Sequence, residues 1–123
     1  MKIVATDLAA WRVFEGGHDL SRLWELAGEQ IYAGFPDHPE RAPELPLDEV
    51  QEALVEALAN GHVRLYDEAD DSTLTQADAL SVARDPAYFD FDTAPRKIGV
   101  AITDAGYGPS GEAWLRYRAA MGF

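Results

Sequence analysis

Cysteine is absent from the 123 residues, so this chain can form no disulfide, thiolate nucleophile or thiolate metal site. Basic residues are scarce: ten Lys and Arg face twenty-two Asp and Glu, a formal net charge of −12, and no Lys or Arg stands between Arg41 and Arg64. That scarcity argues against nucleic acid as a partner, because Lys and Arg supply the affinity for phosphate backbones. Long apolar runs are missing too. Nothing approaches the roughly 20 apolar residues that span a bilayer. The opening MKIVATDLAAWRVFEGG has neither a long apolar h-region nor a small-residue cleavage site. No membrane association and a cytoplasmic location are the expectations. Histidine is limited to His18, His38 and His62, without the paired spacing of a zinc site, so neither a metal nor a cofactor is expected.

What is present is an apolar fraction of 47%, enough for one ordinary core, and the expectation is one domain over residues 1–123. The acids run from Asp7 to Glu112 rather than gathering in a tail, which makes the charge a property of the whole surface.

The most specific local pattern is LDEVQEALVEALANGHVRLY, Leu47 to Tyr66. Val50, Leu54, Ala57 and Leu58 recur at helical spacing as one apolar stripe, and Glu49, Glu52 and Glu56 fill the other face. Asn60-Gly61 supplies the left-handed residue that ends a helix, and Val63, Leu65 and Tyr66 are strand formers. Upstream, Asp7 is placed to cap a short helix, LAAWRVF, ending at Gly16-Gly17. Asp19 is placed to cap a second, whose stripe of Leu20, Leu23, Trp24, Ala27 and Ile31 ends near Gly34. FPDHPERAPELP, Phe35 to Pro46, holds four prolines in twelve residues and excludes both helix and central strand.

Beyond Tyr66, DEADDST reads as an acidic turn. Thr75-Gln76-Ala77-Asp78 has capping-box spacing for a third amphipathic helix, closed by Asp85-Pro86. AYFDFDTAPR is an aromatic loop, and KIGVAIT, Lys97 to Thr103, is a strand with the apolar character to pair with Val63 to Tyr66. DAGYGPSG then makes a turn before a closing helix from Glu112 to Met121. The order of elements gives an α+β fold, mostly helical, with a short antiparallel hairpin or small sheet.

This order resembles the winged helix-turn-helix: a helix ending in glycine, a strand, a long excursion, a second strand, then Ile102-Thr103-Asp104-Ala105-Gly106. ALVEALANGHVRLY looks like the core helix leading into the first wing strand. VAITDAG looks like the second wing strand and the start of a final helix. The match covers roughly Leu20 to Leu115. The resemblance implies a small winged-helix-like domain with a long helical insertion between the wing strands, residues Asp67 to Arg96. Two departures bear on function. The helix that would read DNA carries Asp48, Glu49, Glu52 and Glu56 in place of basic residues, and the thirty-residue excursion is far longer than a simple wing.

Smaller constellations add no chemistry. Gly106-Tyr107-Gly108-Pro109-Ser110-Gly111 spells G-x-G-x-x-G, but only twelve residues follow it, too few for a dinucleotide-binding unit, so a flexible turn is expected. Asp67, Glu68, Asp70 and Asp71 lack the acid at Ala69 and the glycine at Ser72 that a calcium loop of the EF-hand kind requires, and read as a solvated hairpin turn or loop. Ser21, Ser72, Ser81 and Ser110 have no elbow or triad context. No catalytic residue is identified and no enzyme is expected.

Two functional expectations follow. One is a small acidic, non-enzymatic protein-binding module, with an inhibitor, immunity-like or nucleic-acid-mimic role, that engages a basic protein through Asp48, Glu49, Glu52 and Glu56. The other is a winged-helix DNA-binding transcriptional regulator domain.

Overall fold

Glycine and leucine close the first two long helices in the same way, and the rest of the architecture hangs from those two ends. The computed structural model describes residues 5–26 and 45–121. Its elements are α1 (Ala5–Asp19), α2 (Leu47–Ala59), β1 (Val63–Asp67), β2 (Ser72–Thr73), α3 (Gln76–Arg84), β3 (Ile98–Ile102) and α4 (Tyr107–Met121). The strands form an antiparallel sheet in the order β2-β1-β3, which makes this a small α+β domain.

The apolar stripe of α2 is fully committed to the core, with Val50, Leu54, Ala57 and Leu58 all buried. The helix ends as its sequence dictates. Gly61 takes a φ of +72°, its N–H donates to the Leu58 carbonyl at 3.0 Å, and the His62 N–H donates to the Ala57 carbonyl at 2.9 Å. The chain leaves this left-handed turn directly into β1. There Val63 pairs with Ile102, Leu65 with Val100 and Asp67 with Ile98, the antiparallel pairing expected of these two segments. Their inward side chains join the α2 stripe in one hydrophobic cluster that also takes in Val13 and Phe14 of α1 and Tyr117 of α4.

The expected second helix is not formed as read. Helix α1 runs through Gly16-Gly17 to Asp19, so Asp19 closes a helix instead of opening one, and Asp7 lies in the first turn of α1. The glycines are there for close packing. A Cβ on Gly16 would overlap the Leu26 side chain, and one on Gly17 would meet the Ile102 backbone at 3.1 Å. The turn that stops α1 uses Leu20 at φ +55°, with the Ser21 N–H donating to the Gly16 carbonyl at 2.8 Å. Leu23–Glu25 then form one 3-10 turn. Ala27, Ile31 and the proline-rich run as far as Glu44 lie outside the described residues.

The acidic turn after β1 closes a hairpin. Asp67 accepts from the Ala69 N–H at 2.9 Å, and Asp70 accepts from the Ser72 N–H at 3.0 Å, so these two carboxylates fold the loop back on itself. The pairing Tyr66↔Thr73 adds the short strand β2, two exposed residues that carry no sequence pattern. Thr75 caps α3 by accepting from the Asp78 N–H at 3.2 Å, and Asp85 ends it, as the capping spacing predicts. On the other side of the sheet, Val100 donates its N–H to the Ser21 carbonyl at 2.9 Å and Arg22 bridges to Gly99, so the turn after α1 lies along the outer edge of β3.

Candidate functional site

The four carboxylates singled out in the sequence all stand on α2, and packing divides them between two depressions. Asp48 and Glu49 sit in the first turn, where the helix dipole favours negative charge. Asp48, Glu52 and Glu56 are exposed and Glu49 is half-buried. Glu49, Glu52 and Glu56 line a cleft of about 350 Å³ between α1, α2 and the start of α4. Asp48 faces the other way and shares with Glu52 and Glu56 a shallower groove of similar volume, toward α3, that is closed by Arg84. Gln51 fixes the spacing of α2 and α3 there, donating from Nε2 to the Ala83 carbonyl at 3.2 Å. Glu52 and Glu56 are therefore the ridge common to both.

The cleft has an apolar floor and a charged rim. Phe14, Ala53 and Pro109 contribute to the floor, and Glu112 of α4 and Asp7 of α1 extend the acidic rim begun by α2. One cation of the rim, Arg116, pairs with Asp7 at 3.5 Å. Among the described residues, Glu49, Glu52, Glu56 and Glu112 have no cationic partner. His62 also reaches the cleft, with its ring 6.2 Å from that of Phe14. The contributions of α1 and α4 were beyond the reach of a sequence reading, because they depend on how three helices converge.

Two titratable groups are perturbed in the α1–α4 contact, outside the lining of the cleft. Burial raises the pKa of Tyr117 to about 12, with the nearby Glu15 charge adding to the effect. Burial also raises the pKa of Glu15, against the opposing pull of the Arg12 guanidinium. Arg12 is itself buried, pairing with Glu15 at 2.8 Å and donating to the Glu25 carbonyl. Trp11 and Trp114 pack at 5.1 Å across the same contact. These groups fasten helices and do not open into the cleft.

One pairing was invisible in the sequence. His18 Nε2 lies 2.8 Å from Ser110 Oγ, joining residues 92 positions apart. Ser110 is buried, and no other hydrogen-bond partner of the His18 ring occurs among the described residues, so the pair ties the end of α1 to the first turn of α4. This turn also corrects the expectation of a flexible loop at G-x-G-x-x-G. Helix α4 begins at Tyr107 and runs through Gly108, Pro109 and Gly111. Proline is tolerated there because first-turn N–H groups have no helical acceptor. Gly106 is required for another reason: a Cβ would collide with the His62 carbonyl oxygen.

The acidic hairpin is likewise occupied by the chain itself. Glu68 pairs with Arg22 at 2.6 Å and Asp67 with Arg96 at 3.6 Å, while the Ser72 hydroxyl, donating to Asp70 at 2.6 Å, lowers that carboxyl's pKa. Among the described residues no group of three or more His, Asp or Glu is gathered to hold a metal, and His38 lies outside them. Nor is any described helix long and apolar enough to cross a membrane. No protein-family model, curated protein or solved structure matches this chain significantly.

Proposed function

We propose that this protein is a small acidic protein-binding module without enzymatic chemistry, acting in the cytoplasm as an inhibitor, an immunity-like partner or a mimic of nucleic-acid charge. Its binding surface is the outer face of α2, with Asp48, Glu49, Glu52 and Glu56 directed at a basic protein. The observation that carries this reading is the set of α2 carboxylates without a cationic partner among the described residues, on a chain of net charge −12. Such a face steers a basic partner toward itself, and exposed rim charges act mainly on the association rate.

The test measures association with a lysine- and arginine-rich model peptide over a range of salt concentrations. The rate is expected to fall steeply with salt, and the triple variant Glu49→Gln, Glu52→Gln, Glu56→Gln should slow association by about tenfold at low ionic strength. An unchanged rate in that variant would reduce the face to ordinary solvated surface.

A second reading, a winged-helix transcriptional regulator, is supported by the order α2, β1, a long helical excursion and β3, with β1 and β3 antiparallel. In that comparison α2 stands where a recognition helix enters the wing. Its exposed acids would repel the duplex, so affinity for generic DNA at physiological salt should be weaker than the roughly 10⁻⁴ to 10⁻⁶ M of non-specific binders. Micromolar binding to duplex DNA would reverse the preference between the two readings.

A further inference from the structure

We infer that the cleft between α1, α2 and α4 receives a single arginine side chain from the protein partner, with the aliphatic stem on the floor and the guanidinium at the rim. This rests on the binding-module reading and narrows it from a charged face to one pocket. Three observations converge on that occupant. The floor of Phe14, Ala53 and Pro109 is apolar, which suits a stem of methylene groups and offers nothing to a fully hydrated ion. Around it Glu52, Glu56 and Glu112 stand without cationic partners among the described residues, so an entering positive charge meets acceptors not already engaged. The volume, about 350 Å³, lies at the small end of ligand pockets, the scale of a side chain and its immediate neighbours.

The rim also discriminates among cations. A divalent ion of the calcium kind needs six or more oxygens drawn in to about 2.3–2.6 Å, and the described residues gather no such group. Carboxylates dispersed along a cleft instead match a planar guanidinium, whose five N–H donors spread in a fork and which gives up its hydration more readily than an ammonium. The protein supplies its own example. Arg116 lies along the same cleft with its guanidinium against Asp7 at 3.5 Å, and among the described residues no cation pairs with the α2 side of the rim.

The decisive experiment titrates isotope-labelled protein with three tripeptides, Gly-Arg-Gly, Gly-Lys-Gly and Gly-norleucine-Gly, and follows amide NMR shifts. The arginine peptide should shift Phe14, Ala53 and Glu112 saturably, more tightly than the lysine peptide, and the norleucine peptide should leave them in place. Ala53→Leu fills the floor without changing any charge, and should weaken binding of the arginine peptide by about tenfold, the scale of a misplaced methylene in a pocket. Ala10→Leu, from the α1 wall, provides the same plug on a different helix should the first variant melt early. If plugged variants bind as well as the parent while the triple Glu→Gln variant binds the basic model peptide more slowly, the pocket inference falls and the acidic-face reading stands. If neither kind of variant changes binding, both fall. Equal shifts with the norleucine peptide, or the same amide shifts with magnesium chloride alone, would also overturn the arginine assignment.

Discussion

The ends of α1 and α2 are the same device built from different residues. Just past each helix a residue is left-handed, Leu20 directly after α1 at φ +55° and Gly61, following the right-handed Asn60, at +72°. In each, the following N–H returns to a carbonyl five residues back, Ser21 to Gly16 and His62 to Ala57. At α2 the left-handed position is glycine, the residue that adopts it without steric cost, so the helix end can be read from composition alone. At α1 it is an exposed leucine, held by its surroundings. The Tyr66 hydroxyl donates to the Leu20 carbonyl at 3.2 Å, and Ser21 and Arg22 are bound to β3. Local propensity decided one end and tertiary contacts the other.

The largest expected effect tests whether α2 is as securely placed as its pattern indicates. Leu54 is fully buried, and Leu54→Ala should cost about 2–5 kcal/mol in chemical denaturation, as buried leucine truncations do. A loss below that range would mean that the stripe packs loosely and that α2 owes less to its core contacts than the full burial of Leu54 implies. Next, the two ends should respond in opposite directions. Gly61→Ala forces a Cβ into the left-handed region and should destabilise by about 1 kcal/mol, whereas Leu20→Gly relieves the same penalty and should recover part of it. Destabilisation by Leu20→Gly would show that the leucine contributes contacts worth more than its backbone strain. Gly16→Ala should also destabilise, by about 1–3 kcal/mol from overpacking against Leu26, and Leu26→Val should relieve part of that loss in a double-mutant cycle. No such coupling is expected at Gly61, whose Cβ would meet nothing within 4 Å.

A subtler effect depends on pH. Tyr117 keeps its proton to about 12 in the fold, while the unfolded phenol titrates near 10. Between those values the native state holds more protons than the unfolded one, so its stabilising contribution, intact below pH 10, declines as pH rises toward 12. Alkaline unfolding of Tyr117→Phe should show a shallower decline across that window, at the expense of whatever contacts the hydroxyl makes. An identical slope in both proteins would place the titration elsewhere.

What the sequence made legible follows the same division. Helix α2, its glycine stop and the Thr75 cap depend on residues near one another in the chain, and each is found; the β1–β3 pairing spans more than thirty residues and was legible only because both segments carry strand-type apolar runs. The glycines at 16, 17 and 106 and the turn at Leu20 depend on Leu26, Ile102, His62 and Tyr66, which the fold brings in from a distance. A glycine pair inside a packed helix and a glycine pair ending a helix look alike until the neighbours are known. The candidate site divides the same way. Helical spacing grouped Glu49, Glu52 and Glu56, but Glu112, Asp7 and the apolar floor enter only through the packing of α1 and α4, and Asp48 turns out to face the opposite groove.

The turn after α1 also closes off the outer edge of the sheet. A β-strand with an open outer edge is a template for a strand from a second chain, and β3 is apolar along its length. Ser21 and Arg22 lie against that edge and occupy it at Gly99 and Val100. Their attachment leaves less of that edge open to a strand from a second copy. A substitution that frees this turn should reveal itself first as aggregation that grows with protein concentration, before the melting temperature has moved by much.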